Sequence, residues 1–93
     1  MFDFDLTDEL KFIIEKLVKR DKKKAEIINK KIREIINNDS STIDRYYNCS
    51  YSLKEYKHVH IDKSFVLLFK VDKNNNFILF AKIGHHDDFF KKN

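Results

Sequence analysis

The 93-residue chain has no proline, one glycine (Gly84), one cysteine (Cys49) and no internal repeat. Without proline- or glycine-rich stretches no linker is visible, so residues 1–93 read as a single domain. One cysteine cannot form an internal disulfide, and a small secreted domain normally needs such staples; a reducing cytoplasm is the expected setting. No apolar run reaches the ~18 residues of a membrane span, which predicts no membrane partner. Met1 to Asp5 is acidic and lacks the basic start and apolar stretch of a secretion signal. Little of the chain reads as disordered, because 42% of it is hydrophobic and thirteen residues are Phe or Tyr, enough for one modest core.

Charge is unevenly placed. The net value is +4, but between Lys11 and Arg33 ten Lys/Arg stand against three acids. A local excess of seven positive charges suits contact with a phosphate backbone, and equally suits a solvated helix face.

Periodicity supplies the elements. Phe2, Phe4 and Leu6 alternate with Asp3 and Asp5, as in a half-buried strand. Thr7 fits a helix N-cap followed by Asp8 and Glu9, and Leu10, Ile13, Ile14, Leu17 and Val18 form one apolar stripe. Asp21 fits a second cap ahead of the stripe Ala25, Ile28, Ile32, Ile35 and Ile36. A polar, irregular stretch (40–52) follows, then strands over 56–62, 65–71 and 77–83, the last two joined by an Asn-rich hairpin loop. The expected fold is α+β: an N-terminal strand, a two-helix hairpin, then an antiparallel meander of three to four strands with the helices on one sheet face.

All four histidines fall in the last third. His58 and His60, two apart on a strand, leave by the same face. His85 and His86 follow Gly84 at the end of the last strand. With the 65–71 strand between them, the two sites should face each other across roughly 10 Å, a gap for a phosphodiester. Imidazole, with an ordinary pKa of about 6.5, serves as general base in one copy and general acid in another. Fixed cations (Lys57, Lys63, Lys82) suit the charge that gathers at phosphorus, and an aromatic such as Phe90 can stack on a base. The toolkit is therefore sufficient for RNA cleavage without a metal or other cofactor. Two other readings stand beside it: ordinary surface histidines, and a zinc site from His58, His60, His86 and Asp87.

The segments Leu53-Lys54-Glu55-Tyr56-Lys57-His58-Val59-His60-Ile61-Asp62, Phe65-Val66-Leu67-Leu68-Phe69-Lys70-Val71 and Ile83-Gly84-His85-His86-Asp87-Asp88-Phe89-Phe90 resemble the YafQ-like branch of the RelE/ParE toxin superfamily. That resemblance implies a ribosome-dependent mRNA endoribonuclease, neutralised by a cognate antitoxin in a toxin–antitoxin hetero-oligomer. His60 matches the family's strand histidine, implied as base, and His86 the histidine after the glycine, implied as acid. Phe90 matches an RNA-touching aromatic. Lys57 and Lys82 stand where the family has arginines, keeping the charge without the planar two-point grip. Tyr47 replaces a third histidine and Ser64 an aspartate; Tyr47 still offers a hydrogen bond to RNA. A non-enzymatic, gyrase-poisoning protein of the ParE branch and an inactive family member are the alternatives.

Overall fold

The computed structural model describes residues 1–90. Strand β1 (Asp3–Leu6) leads into helices α1 (Asp8–Arg20) and α2 (Lys22–Ile36). Two short 3-10 turns, Ile43–Arg45 and Tyr51–Leu53, precede β2 (Lys57–His60), β3 (Phe65–Asp72), β4 (Phe77–His85) and a short terminal helix α3 (His86–Phe90).

Both caps form where the side chains predict them. Thr7 Oγ1 accepts the Leu10 N–H at 3.2 Å, and Asp21 Oδ1 accepts the Lys24 N–H at 3.1 Å. Leu10 from α1 and Ile28, Ile32, Ile35 and Ile36 from α2 then bury against Leu67, Phe69, Ile78 and Phe80 of the sheet. That shared burial holds the helical hairpin on one face of the sheet.

Strand order is β1-β4-β3-β2, with β2, β3 and β4 an antiparallel meander. The sheet is mixed rather than wholly antiparallel, because β1 pairs with β4 in parallel. The helical hairpin carries the chain away from β1, and the meander returns its last strand alongside, running the same way. Phe2 is buried just ahead of the strand, where its N–H donates to the Ile36 carbonyl at 2.8 Å. Phe4 lies edge-on to Phe80 yet stays 44% exposed, as befits an edge strand.

β2 is shorter than its alternation predicts. Asp62 leaves the strand to make the turn: its Oδ1 accepts the N–H groups of Ser64 and Phe65, both at 2.8 Å. Those two bonds hold the Asp62 carboxyl below the usual carboxylate range. At the other hairpin Asn76 takes a φ of 52°, the left-handed conformation for which asparagine is suited.

In β4 the register shifts opposite Leu68 and Phe69: Leu68 pairs with Lys82 but Phe69 with Phe80, leaving Ala81 as an extra residue. Before this bulge Ile78 and Phe80 face the helices; after it Ile83 does, so Lys82 and Gly84 turn to the opposite face. Thr7 Oγ1 donates to the Ala81 carbonyl at 2.7 Å, so one hydroxyl caps α1 and ties down the bulge.

Thr7→Ala should remove both bonds and lower stability by about 1–2 kcal/mol. For a domain of this size that is a fall in Tm of roughly 4–8 °C per kcal/mol. Thr7→Ser should retain most of the stability; chemical denaturation of the three proteins measures the difference.

Candidate functional site

The site lies on the sheet face turned away from α1 and α2. His58 and His60 project there from β2, opposite Leu68 and Val66 of β3, which in turn pair with Lys82 and Gly84. Val66 and Leu68 are fully buried, covered by Cys49, Leu53 and Tyr56 from one side and by Phe89 and Phe90 of α3 from the other. Helix α3 can fold back so closely because residue 84 has no side chain. A Cβ there would stand 3.1 Å from Phe89 Cζ and 3.3 Å from Cε2. The turn is fastened by the His86 N–H, which donates to the Ser64 carbonyl at 2.6 Å.

This return brings His86 against His60. Their ring centroids are 5.7 Å apart and their planes within 24° of parallel. Phe90, one helical turn beyond His86, packs on it at 4.7 Å and meets His58 edge-on at 5.1 Å. His58 lies 6.1 Å from His60. Three imidazoles and one phenyl ring thus form a continuous patch with His60 exposed and His58 half-buried.

Burial, and then the neighbouring His60 and His86 rings, hold His58 below its ordinary value of 6.5, favouring the neutral imidazole. Burial likewise pushes the Cys49 thiol up, so the sulfur 3.7 Å from His58 Nδ1 stays protonated. Cys49 reaches the cluster because residues 47–49 run beside β2, with the His58 N–H donating to the Tyr47 carbonyl at 3.1 Å. That edge pairing is carried by backbone bonds, which is why the polar stretch 40–52 hides it.

The expected residues divide. His60, His86 and Phe90 come together, and Lys82, half-exposed, faces the same side in a row with Leu68 and His58. The ~10 Å gap expected between the histidines is not there, because His86 belongs to α3, folded over the sheet, and not to a strand end. Lys57 is not among them. It points to the helix side and is 8% exposed, with Nζ donating to the Tyr46 carbonyl at 2.9 Å and Asn48 Oδ1 at 3.0 Å and pairing with Asp44 at 3.3 Å. Tyr47 is 78% exposed beside β2. Lys63 is exposed in the β2–β3 turn, and Ser64 acts through its carbonyl on His86. Among the described residues no three His, Cys, Asp or Glu side chains are grouped to hold a metal ion, so the zinc reading finds no ligand set.

The N-terminal strand, the helical hairpin and the meander thus build two helices against a four-stranded mixed sheet whose free face carries paired histidines. No protein-family profile matches the chain. A protein of Methanocaldococcus jannaschii named "Putative toxin RelE4" is 45% identical over 92 residues, covering 99% of this chain and 94% of the relative. The crystal structure of YafQ from Escherichia coli superposes with a TM-score of 0.71 at 17% identity, over 97% of this chain and 99% of that one. YafQ in its toxin–antitoxin complex with DinJ gives 0.62 at 16% identity, over 96% and 97% of the two chains. A metal-bound toxin from Helicobacter pylori gives 0.75 at 16% identity, over 97% and 100%. The chain belongs to the RelE toxin superfamily, with a YafQ-like fold.

Gly84→Ala should push Phe89 outward and lift α3, costing near the low end of the ~1–3 kcal/mol typical of overpacking. The sensitive readout is the nuclear Overhauser contact between the His60 and His86 rings, which should weaken; an unchanged contact contradicts this account of the glycine. Below its ordinary pKa of 6.5, the unfolded chain binds a proton at His58 that the folded chain resists. Stability from this residue is therefore complete above that value and lost on acidification. Tm should fall from about pH 7.5 to about pH 5.5, and less steeply in His58→Gln.

Proposed function

We propose that this protein is the toxin of a toxin–antitoxin pair and cuts mRNA on the ribosome without a metal, using His60 as general base and His86 as general acid. The observation that carries the reading is the meeting of two imidazoles, 26 positions apart in sequence, at 5.7 Å on an open sheet face. His60 takes the proton of a ribose 2′-hydroxyl, whose oxygen bonds to the adjacent phosphorus. The bond from phosphorus to the 5′-oxygen breaks, and His86 in its imidazolium form gives that oxygen a proton. The products are a 2′,3′-cyclic phosphate and a free 5′-hydroxyl.

The rings stack nearly parallel at 5.7 Å, too close to admit a phosphate between their faces, so it sits along their outer edges. The attacking and leaving oxygens of an in-line displacement lie on opposite sides of one phosphorus, only a few ångström from each other. Each can be within the ~3 Å reach of a ring nitrogen when both rings approach from one side. Lys82 stands on the same face to meet the developing charge. It also lies 3.9 Å from Glu9, a loose contact that a phosphate can replace. Phe90 offers its ring to a base next to the cut.

The basic helical hairpin supports contact with ribosomal RNA, with Lys11, Lys16, Lys19, Arg20, Lys22 and Lys23 exposed along it. The family relationship and the DinJ complex of YafQ support an antitoxin partner, and an acidic amphipathic segment complements this surface. Among the described residues no helix is long and apolar enough to cross a membrane, and a cytoplasmic site of action follows from the ribosomal target.

Induced expression of the parent should arrest growth, whereas the His60→Ala/His86→Ala double variant should accumulate freely. Each single variant should lose about 10²–10⁴-fold in cleavage. Mapping 5′ ends of translated mRNA after brief induction should reveal codon-phased cuts. Equal growth inhibition by the parent and the double variant eliminates the two-histidine mechanism.

A further inference from the structure

Asp87 is the one carboxylate close to His86 in the ion pairs of the described residues, and its surroundings leave it little choice of partner. Its Oδ1 is 3.6 Å from His86 Nδ1 and its Oδ2 is 3.7 Å from His85 Nδ1. The His85 nitrogen is already committed, since it accepts the backbone N–H of Asp87 at 3.2 Å. A nitrogen presenting its lone pair to a donor has no proton to give a carboxylate. His86 Nδ1 is therefore the imidazole nitrogen that can carry a proton toward Asp87.

We propose that Asp87 is a positioning residue for His86: it draws the proton to Nδ1 and leaves Nε2 as the edge that exchanges a proton with substrate. This rests on the catalytic reading of His86. The distance is a few tenths of an ångström beyond a hydrogen bond, and such contacts commonly tighten when substrate binds. His85 gains a role in the same arrangement. Its ring lies edge-on to Phe65 at 6.0 Å, and from that seat its Nδ1 holds the Asp87 backbone in place. Ser64 lacks a carboxylate but fixes the His86 backbone through its carbonyl. Orientation of His86 is thus divided between its main-chain bond to the Ser64 carbonyl and a side chain from its own helix.

Nitrogen-15 NMR of the histidine rings in the purified 93-residue chain tests this directly. In the neutral parent the Nδ1–H tautomer of His86 should predominate. Asp87→Ala should move His86 toward the Nε2–H form while leaving the His60 signals in place. Asp87→Asn should do the same, because its amide can donate to Nδ1 and favour the opposite tautomer, a pattern known from the Ser-His-Asp triad. On ribosome-bound mRNA the alanine variant should lose up to about fivefold in kcat with KM unchanged, the scale of an exposed charge contact. Asp87→Glu should restore part of that loss.

An unchanged His86 tautomer in Asp87→Ala overturns the proposal. So does a fall in Tm with the tautomer intact, which is the outcome for a carboxylate that merely suits the first turn of α3. If the parent cuts no message, the catalytic reading fails, while the tautomer measurement still decides whether Asp87 orients this ring.

Discussion

Val66 and Leu68 on the free face of a four-stranded sheet must be kept from water, and the two long helices, α1 and α2, are both on the other side. Their cover comes from α3 and from the stretch around Cys49, Leu53 and Tyr56. A five-residue helix has no stability of its own in water, so its place is set by what Phe89 and Phe90 bury. The same docking that shields the sheet delivers His86 to His60. The packing of this face and the meeting of the two imidazoles are one contact, and Gly84 sets how close the two layers come.

That arrangement explains why the imidazoles differ in setting. His60 sits at the open end of its row and stays exposed, whereas His58 is enclosed by Phe90 and Cys49. Enclosure disfavours charge on His58, and the neighbouring rings disfavour it further. A neutral imidazole between an aromatic ring and a thiol serves the patch as filler with a polar edge. On the far side, Lys57 is equally constrained, but by Asp44, Asn48 and the Tyr46 carbonyl, which anchor the irregular segment to the sheet.

Much of this was legible in residue order. The α2 stripe, most of the α1 stripe (Val18 is 49% exposed and lies off it), both caps and the three meander strands follow from local periodicity and capping chemistry. Local signals do not reach across the chain, so the parallel pairing of β1 with β4, more than seventy positions away, was hidden. Helix α3 is too short to show a period, which is why His86 reads as a strand end and its ring as distant from His60. Lys57 is a different matter. The alternation that joins His58 with His60 already puts Lys57 on the other face, so likeness to an arginine in relatives is outweighed by strand geometry. The bulge at Ala81 left no mark, because apolar residues on both faces of a strand erase the alternation that would reveal an extra residue.

The arrangement of side chains on this face depends on Ala81 staying out of the ladder as an extra residue. Side chains reverse sides with every one-residue step along a strand. Drawn into the ladder as a paired residue, Ala81 would rotate Lys82, Gly84 and the root of α3 toward the helical layer, burying a cation and stranding the terminal aromatics. Loss of the residue would leave Lys82 opposite Leu68, whereas a larger side chain at this buried position, or a second inserted residue that enters the ladder, would disturb the face.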